Sequence, residues 1–290
     1  MSDRKVAVVT GASSGIGKEI ARALVGGDWR VIGVGRNPSR IEEAANEIRA
    51  GSASERGSIE MLRADLSLMR ESKALALTVA GMTDRIDLLV NNAGGMTDRL
   101  DHTPEGLEAS FAANHLGPFC LTQILLPHLR HTARVSHPGT VRIVMTSSGA
   151  SESAPAFDFD DIQGLTRFSP GIAYCSAKLA NVMFTRALAQ RLADTGIVVH
   201  AAAPGPVASR FFENAPTETR DHVRDLAMLS EAEGADTLVW LATAHEPGMS
   251  NGGYWQNREI RMPHHQVEDH AAVDRFWHES EKLVASALIA

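Results

Sequence analysis

Five apolar, β-branched runs alternate with amphipathic segments along this chain, and that alternation constrains the fold more than any other feature. The runs are KVAVVT (5–10), WRVIGV (29–34), DLLVNN (87–92), VRIVMTS (141–147) and GIVVHAA (196–202). They are nearly continuous rather than alternating, as strands buried on both faces should be. Between them, Ile16, Ile20 and Leu24 recur at i, i+4 and i+8, which marks one face of a helix. Further helices are predicted over 38–50, 67–81, 104–130 and 171–194. In the segment 104–130, Pro104 suits a first helical turn and Thr103 suits its cap, with Gly106 a mild cost. Strand–helix alternation predicts an α/β fold, a doubly wound parallel sheet with helices on both faces, because right-handed crossovers must cover both sides. With no internal repeat, low-complexity tract or linker, one domain over 1–290 is predicted.

Three stretches break the rhythm. Residues 149–170 (GASESAPAFDFDDIQGLTRFSP) make a long connection where a short one would do. Residues 205–230 mix aromatic and charged side chains and are read as a substrate lid. The tail 258–290 is a C-terminal extension ending in a helix, with Val273, Phe276, Trp277, Leu283 and Val284 near helical spacing. Long loops in compact domains are commonly lids or binding loops. Both loops follow the carboxyl ends of predicted strands, where open α/β sheets bind ligands. Phe157, Phe159, Phe168, Phe211 and Phe212 lie in these loops, either to meet an apolar substrate or only to pin the loops to the body.

Bulk properties exclude several classes of function. A net charge of -7 gives no electrostatic reason to expect nucleic acid or an anionic membrane as partner. No run approaches the length of a membrane span, and the apolar part of RKVAVVTG is too short for a signal-peptide core. Two cysteines, Cys120 and Cys175, make no disulfide framework, so a reduced, cytoplasmic setting is expected. The histidines of HLRH (128–131) and PHH (263–265) lack an attendant carboxylate or cysteine pattern, and no metal site is expected.

TGASSGIG (10–17) follows the first predicted strand and opens the first helix, the placement a dinucleotide fingerprint requires. Gly11 suits the tight turn, Gly15 the approach of a pyrophosphate, and Gly17 close helix–sheet packing. The helix N-terminus offers its unpaired N–H groups to the phosphates. At the end of the second strand an NAD site usually carries an acid. Here VGRNPSR places Gly35 at that point and Arg36 next, and an arginine fork suits a 2′-phosphate. NADP(H) is therefore the expected cofactor.

Tyr174 is one of only two tyrosines and stands four residues before Lys178, on the same face of a predicted helix. An ammonium about 4 Å from a phenol, at an effective dielectric near 20, would favour the phenolate by up to ~4 kcal/mol, or ~3 pK units. That would bring a tyrosine toward neutral-pH proton transfer.

TGASSGIG, NNAG (91–94), NHLGPF (114–119), VMTSS (144–148), YCSAKLAN (174–181) and PGPVAS (204–209) come in the order and spacing of the short-chain dehydrogenase/reductase family. The chain resembles that family over nearly its whole length. NHLGPFCLT, AYCSAKLANVMFTRALAQRL and the aromatic tail resemble its retinol dehydrogenase-like branch. The resemblance implies a Rossmann-type fold and alcohol–carbonyl interconversion. It implies Tyr174 as general acid/base, Lys178 as its pKa-lowering and ribose-holding partner, Ser148 as the hydrogen-bond donor to the substrate oxygen, and Asn114 as the holder of a relay water. For the cofactor it implies the loop residues Gly11, Ser13, Ser14, Gly15, Ile16 and Gly17. It adds Asp65 and Leu66 at the adenine, and Asn92, Ala93 and Gly94 at the ribose. Pro204, Gly205, Val207 and Ser209 would border the nicotinamide, the last replacing a commoner threonine.

The departures are a 26-residue step from Ser148 to Tyr174, APG (203–205) in place of that branch's HPG, and no N-terminal hydrophobic anchor. The substrate is expected to be a small carbonyl or alcohol, apolar or aromatic, and the protein a homo-oligomer. A non-catalytic, dinucleotide-sensing protein on the same fold is the rival reading. Such a protein should have lost the tyrosine or the lysine.

Overall fold

The computed structural model describes residues 4–224 and 226–289. Six strands, β1 (Val6–Thr10), β2 (Arg30–Gly35), β3 (Ser58–Arg63), β4 (Leu88–Asn91), β5 (Val141–Thr146) and β6 (Ile197–Ala202), pair in parallel. β7 (Tyr254–Gln256) extends the parallel sheet, and the short β8 (Glu259–Ile260) adds an antiparallel edge. The order is β3-β2-β1-β4-β5-β6-β7-β8. Strand order reverses between β1 and β4, so a crevice opens at their carboxyl ends.

Alternate residues of one strand enter different cores. Val6 and Val8 of β1 pack with the helices on one face, while Ala7 and Val9 pack on the other. The first face carries α3 (Met69–Met82), α5 (Gly117–Arg134), α6 (Pro170–Arg191) and α9 (His270–Ile289). The second carries α1 (Gly15–Gly26), α2 (Pro38–Gly51) and α8 (Glu231–Thr243), the last of these begun by a Ser230/Glu233 capping box. In α1, Ile20 and Leu24 are buried and Ile16 packs beside them, the stripe that the sequence shows. Among the described residues no helix is long and apolar enough to cross a membrane.

Two expectations are corrected, and one open alternative is decided. The helix predicted from 104 begins instead at α4 (Ala109–Phe111), capped by Glu108, whose carboxylate accepts from Ser110 N and Phe111 N. Residues 103–106 form a turn in which Gly106 takes φ +78°, outside helical space, and Glu105 caps α3 instead, accepting from Met69 N and Arg70 N. Second, α4 passes into α5 through a π-helical turn (Ala112–Leu116) that holds Asn114. Third, of the two readings of the loop phenylalanines, pinning to the body holds for Phe157 and Phe159, which do not line the crevice. Phe157 packs on Phe276 of α9 at 5.2 Å between centroids, and Arg275 lies over Phe159. Gln266 clamps the backbone of Phe157 through both N–H and C=O. The long connection is thus pinned to the C-terminal extension.

β5 carries a buried cation. Arg142 donates to the carbonyls of Gly139, Leu241 and Ala244 at 2.8, 2.6 and 2.5 Å, satisfying the carboxyl end of α8. Burial lowers its pKa. Arg142→Met should destabilise the fold by about 2 kcal/mol, since the stranded carbonyls outweigh the relief of an unburied charge. A denaturant titration checks this, and an unchanged midpoint would contradict it.

Candidate active site

The crevice at the strand ends is an extended cleft of about 1550 Å³. All the candidate catalytic and cofactor residues named from sequence line it except Gly17. Gly17 lies beneath, where a Cβ would stand 2.3 Å from the Gly11 carbonyl, so helix and loop touch there because it is glycine. At Gly15 φ is +58°, a conformation that side chains rarely adopt, and the turn aims the start of α1 into the cleft. Ser14 caps that helix without a side-chain bond, and the first turn holds no acid. The N–H groups and partial positive charge are left for an anion, so the loop fits a pyrophosphate.

Threonine and asparagine side chains tie the strand ends together. Thr10 Oγ1 accepts from the N–H groups of Asn92 and Ala93, and Asn92 bonds Thr10 O through Nδ2 and Thr146 Oγ1 through Oδ1. Asn114 Nδ2 donates to Ser110 O at 2.8 Å, the acceptor that its own backbone N–H would take in an α-helix, which accounts for the π-helical turn. The same amide closes on Gly95 through both of its atoms. A Cβ on Gly94 would lie 2.4 Å from Asn114 Oδ1 and 3.3 Å from Lys178 Nζ, so these three residues meet at one point.

α6 presents Tyr174 and Lys178 to that point, one turn apart. Lys178 is 3 % exposed and donates to Thr146 O at 3.3 Å. Ser148 ends the segment after β5, and its Oγ accepts from Ala150 N at 3.2 Å. The short chain dehydrogenase family profile matches residues 5–220.

The chain belongs to the short-chain dehydrogenase family.

Human retinol dehydrogenase 12 is 34% identical over 289 residues, covering 97% of this chain and 86% of its own length, and places this dehydrogenase in the retinol dehydrogenase-like branch. Among solved structures, the Pseudomonas aeruginosa RhlG/NADP active-site complex is similar with a TM-score of 0.69 and 27% identity, over 86% of this chain and 93% of that one. The 3-ketoacyl-(acyl-carrier-protein) reductase of Brucella melitensis, complexed with NADH, has a TM-score of 0.65 and 25% identity, over 86% and 95%.

Electrostatics in this dehydrogenase differ from the expectation for Tyr174. Tyr174 is half-buried on the cleft wall. Burial pushes its pKa up to about 12, partly opposed by a hydrogen bond with Ser148. Lys178 stands beside the ring. The ammonium lies 5.7 Å from the ring centroid, and its own pKa is lowered to about 8 by burial. Desolvation opposes the charged form of each group.

Two further groups line the cleft. Phe211 and Phe212 stand on a short 3₁₀ turn (Arg210–Asn214) after Ser209, with Phe211 5.3 Å from the Tyr174 ring. Arg36, largely exposed, lies 3.7 Å from Asp65, and Arg40 lies 3.7 Å from Glu213 of that same turn. Sequence reasoning missed Arg40, although it falls one helical turn after Arg36 in RNPSR.

Proposed function

We propose that this protein is an NADP(H)-dependent oxidoreductase that interconverts an alcohol and a ketone or aldehyde, with Tyr174 as general acid/base. The observation that carries the proposal is a half-buried, protonated phenol bonded to Ser148 and followed one turn later by a buried lysine. All three share a cleft with an uncapped, glycine-bordered helix N-terminus.

A nicotinamide dinucleotide bound along the cleft supplies the hydride. Gly11, Ser13, Ser14, Gly15 and Ile16 would hold its phosphates, Asp65 and Leu66 the adenine, and Asn92 to Gly94 with Lys178 the ribose. Pro204, Gly205, Val207 and Ser209 would border the reactive ring. Ser148 Oγ accepts from Ala150 N and so keeps its own proton to donate to the substrate oxygen. Charge grows on that oxygen as the carbonyl is reduced, and a fixed donor there stabilises the transition state. Tyr174 gives up its proton to the resulting alkoxide, a stronger base than a phenolate, and oxidation reverses the transfer. Asn114 holds the Gly94–Gly95 backbone in place and completes the relay. Phe211 and Phe212 favour an apolar or aromatic substrate, as the name of the retinol dehydrogenase relative also does. Residues 205–230 would serve as its lid within one catalytic unit spanning the chain. The unpaired Cys120 and Cys175 fit a reducing cytoplasm.

The test is a panel of apolar and aromatic aldehydes and ketones assayed with NADPH and with NADH. Turnover with NADPH preferred is expected. Dinucleotide binding without turnover on any carbonyl or alcohol would favour the sensing protein, and a preference for NADH would remove the role of Arg36. Arg36→Ala should raise KM for NADPH about tenfold and leave that for NADH unchanged, the loss of one charge-assisted bond to a phosphate.

A further inference from the structure

A second tyrosine reaches the turn that carries Ser148 from the far edge of the sheet. Tyr254 opens β7 and is 3 % exposed. Its hydroxyl lies 3.0 Å from the Ser148 carbonyl and 3.1 Å from Glu152 Oε1, and accepts from Ser151 Oγ at 3.3 Å. A phenol has one proton, so the two acceptors compete for it. The other oxygen of Glu152 accepts from Arg261 Nη2 at 2.7 Å, and Arg261 also donates to Gln256. Pairing with the guanidinium withdraws charge from Glu152 and weakens its hold on the Tyr254 proton. Arg261 and Gln256 stand on the cleft wall. Burial holds Tyr254 well above an ordinary tyrosine, so it remains a donor at every working pH.

The turn that this hydroxyl grips is short and packs against α6. Residues Gly149–Ser153 form one 3₁₀ turn, in which Ser148 O also accepts from Ser151 N at 3.0 Å. Ser148 Oγ must aim its proton at an oxygen that carries charge only in the transition state, and small misplacements of such donors are costly. The geometry points to Tyr254 as a positioning residue for Ser148: its hydroxyl pins the Ser148 carbonyl, and the pairing of Glu152 with Arg261, which stands on the cleft wall, keeps the proton directed there. This inference rests on the reading of Ser148 given above.

The experiment compares Tyr254→Phe alone, Ser148→Ala alone and the two together, measuring kcat and KM for one carbonyl of the panel with NADPH. Tyr254→Phe should lower kcat about tenfold with KM within about twofold, and should cost less than about twofold when added to Ser148→Ala, because the group it positions is then absent. Equal losses in both backgrounds would show a merely structural role and overturn the inference, as would no loss in either. A Ser148→Ala enzyme as active as the parent would overturn the reading of Ser148 and this inference with it. A Tyr254→Phe loss that persists in Ser148→Ala overturns the inference alone. A second pair of variants decides the matter should Tyr254→Phe not fold. Arg261→Met frees Glu152 to capture the proton and should lower kcat about threefold, and adding Glu152→Gln should restore it. Failure of Glu152→Gln to restore kcat would overturn the inference.

Discussion

Tyr174→Phe is expected to lower kcat by about 10²–10⁴-fold, the range for loss of a positioned general acid, while the dissociation constant for NADPH stays within about twofold. The substitution removes one oxygen and leaves the ring, so the contact with Phe211 and the packing of α6 persist. What disappears is the proton for the alkoxide and the hydrogen bond to Ser148. Steady-state kinetics beside a fluorescence titration of NADPH separate the two effects, and near-parental turnover would refute the assignment. The pH dependence adds a second check. An acid works below its pKa, so with Tyr174 near 12 the reduction should not lose its acid anywhere near neutrality. A decline in rate as pH rises through about 8 would instead report Lys178, whose ammonium titrates there.

Much of this site can be read from residue types and spacing, because those features are local. A helix places Tyr174 and Lys178 on one face whatever surrounds them, and the order strand, glycines, helix is itself the dinucleotide signature. Burial is not local. The charge of Lys178 was expected to acidify Tyr174, but burial opposes the charged form of each group, and without a bound dinucleotide the pKa of Tyr174 is raised. The phenylalanines show the same limit. Phe157 and Phe211 sit in equally irregular stretches, yet one is bound into the α9 core and the other faces the cleft. Weak elements escaped for a related reason. β3 buries only Ile59, so SIEMLR lacks the apolar run of an inner strand and is not among the five runs legible in the sequence. The π-helical turn depends on the Asn114 side chain taking a backbone acceptor, which no periodicity records. The capping box of α8, Ser230 with Glu233, was a legible start signal that was passed over.

Lys178→Met should stabilise the protein by about 3 kcal/mol at pH 7 while abolishing most turnover. An ordinary lysine titrates at 10.5 and burial brings this one to about 8, a gap worth about 3 kcal/mol against the charged form. The sign follows from proton counting. Between pH 8 and 10.5 the unfolded chain still holds the proton that the folded protein has released, so stability rises with pH across that window. Below 8 both states are charged and the folded state bears the full penalty. Methionine fills the volume of the lysine stem without the ammonium. No acceptor is stranded, because Thr146 O keeps its bond from Asn181 Nδ2 at 3.1 Å. Denaturant titrations of the two proteins from pH 7 to pH 10.5, without added dinucleotide, should therefore converge as the pH rises. A variant less stable than the parent at pH 7, or a gain that does not shrink with pH, would show that the ammonium is not desolvated. The buried lysine is thus a charge that the fold carries at a loss. Its retention is explained only if the ammonium meets a bound anion or hydroxyl that restores what water would have given, and this is the position that the ribose of a dinucleotide in the cleft would take.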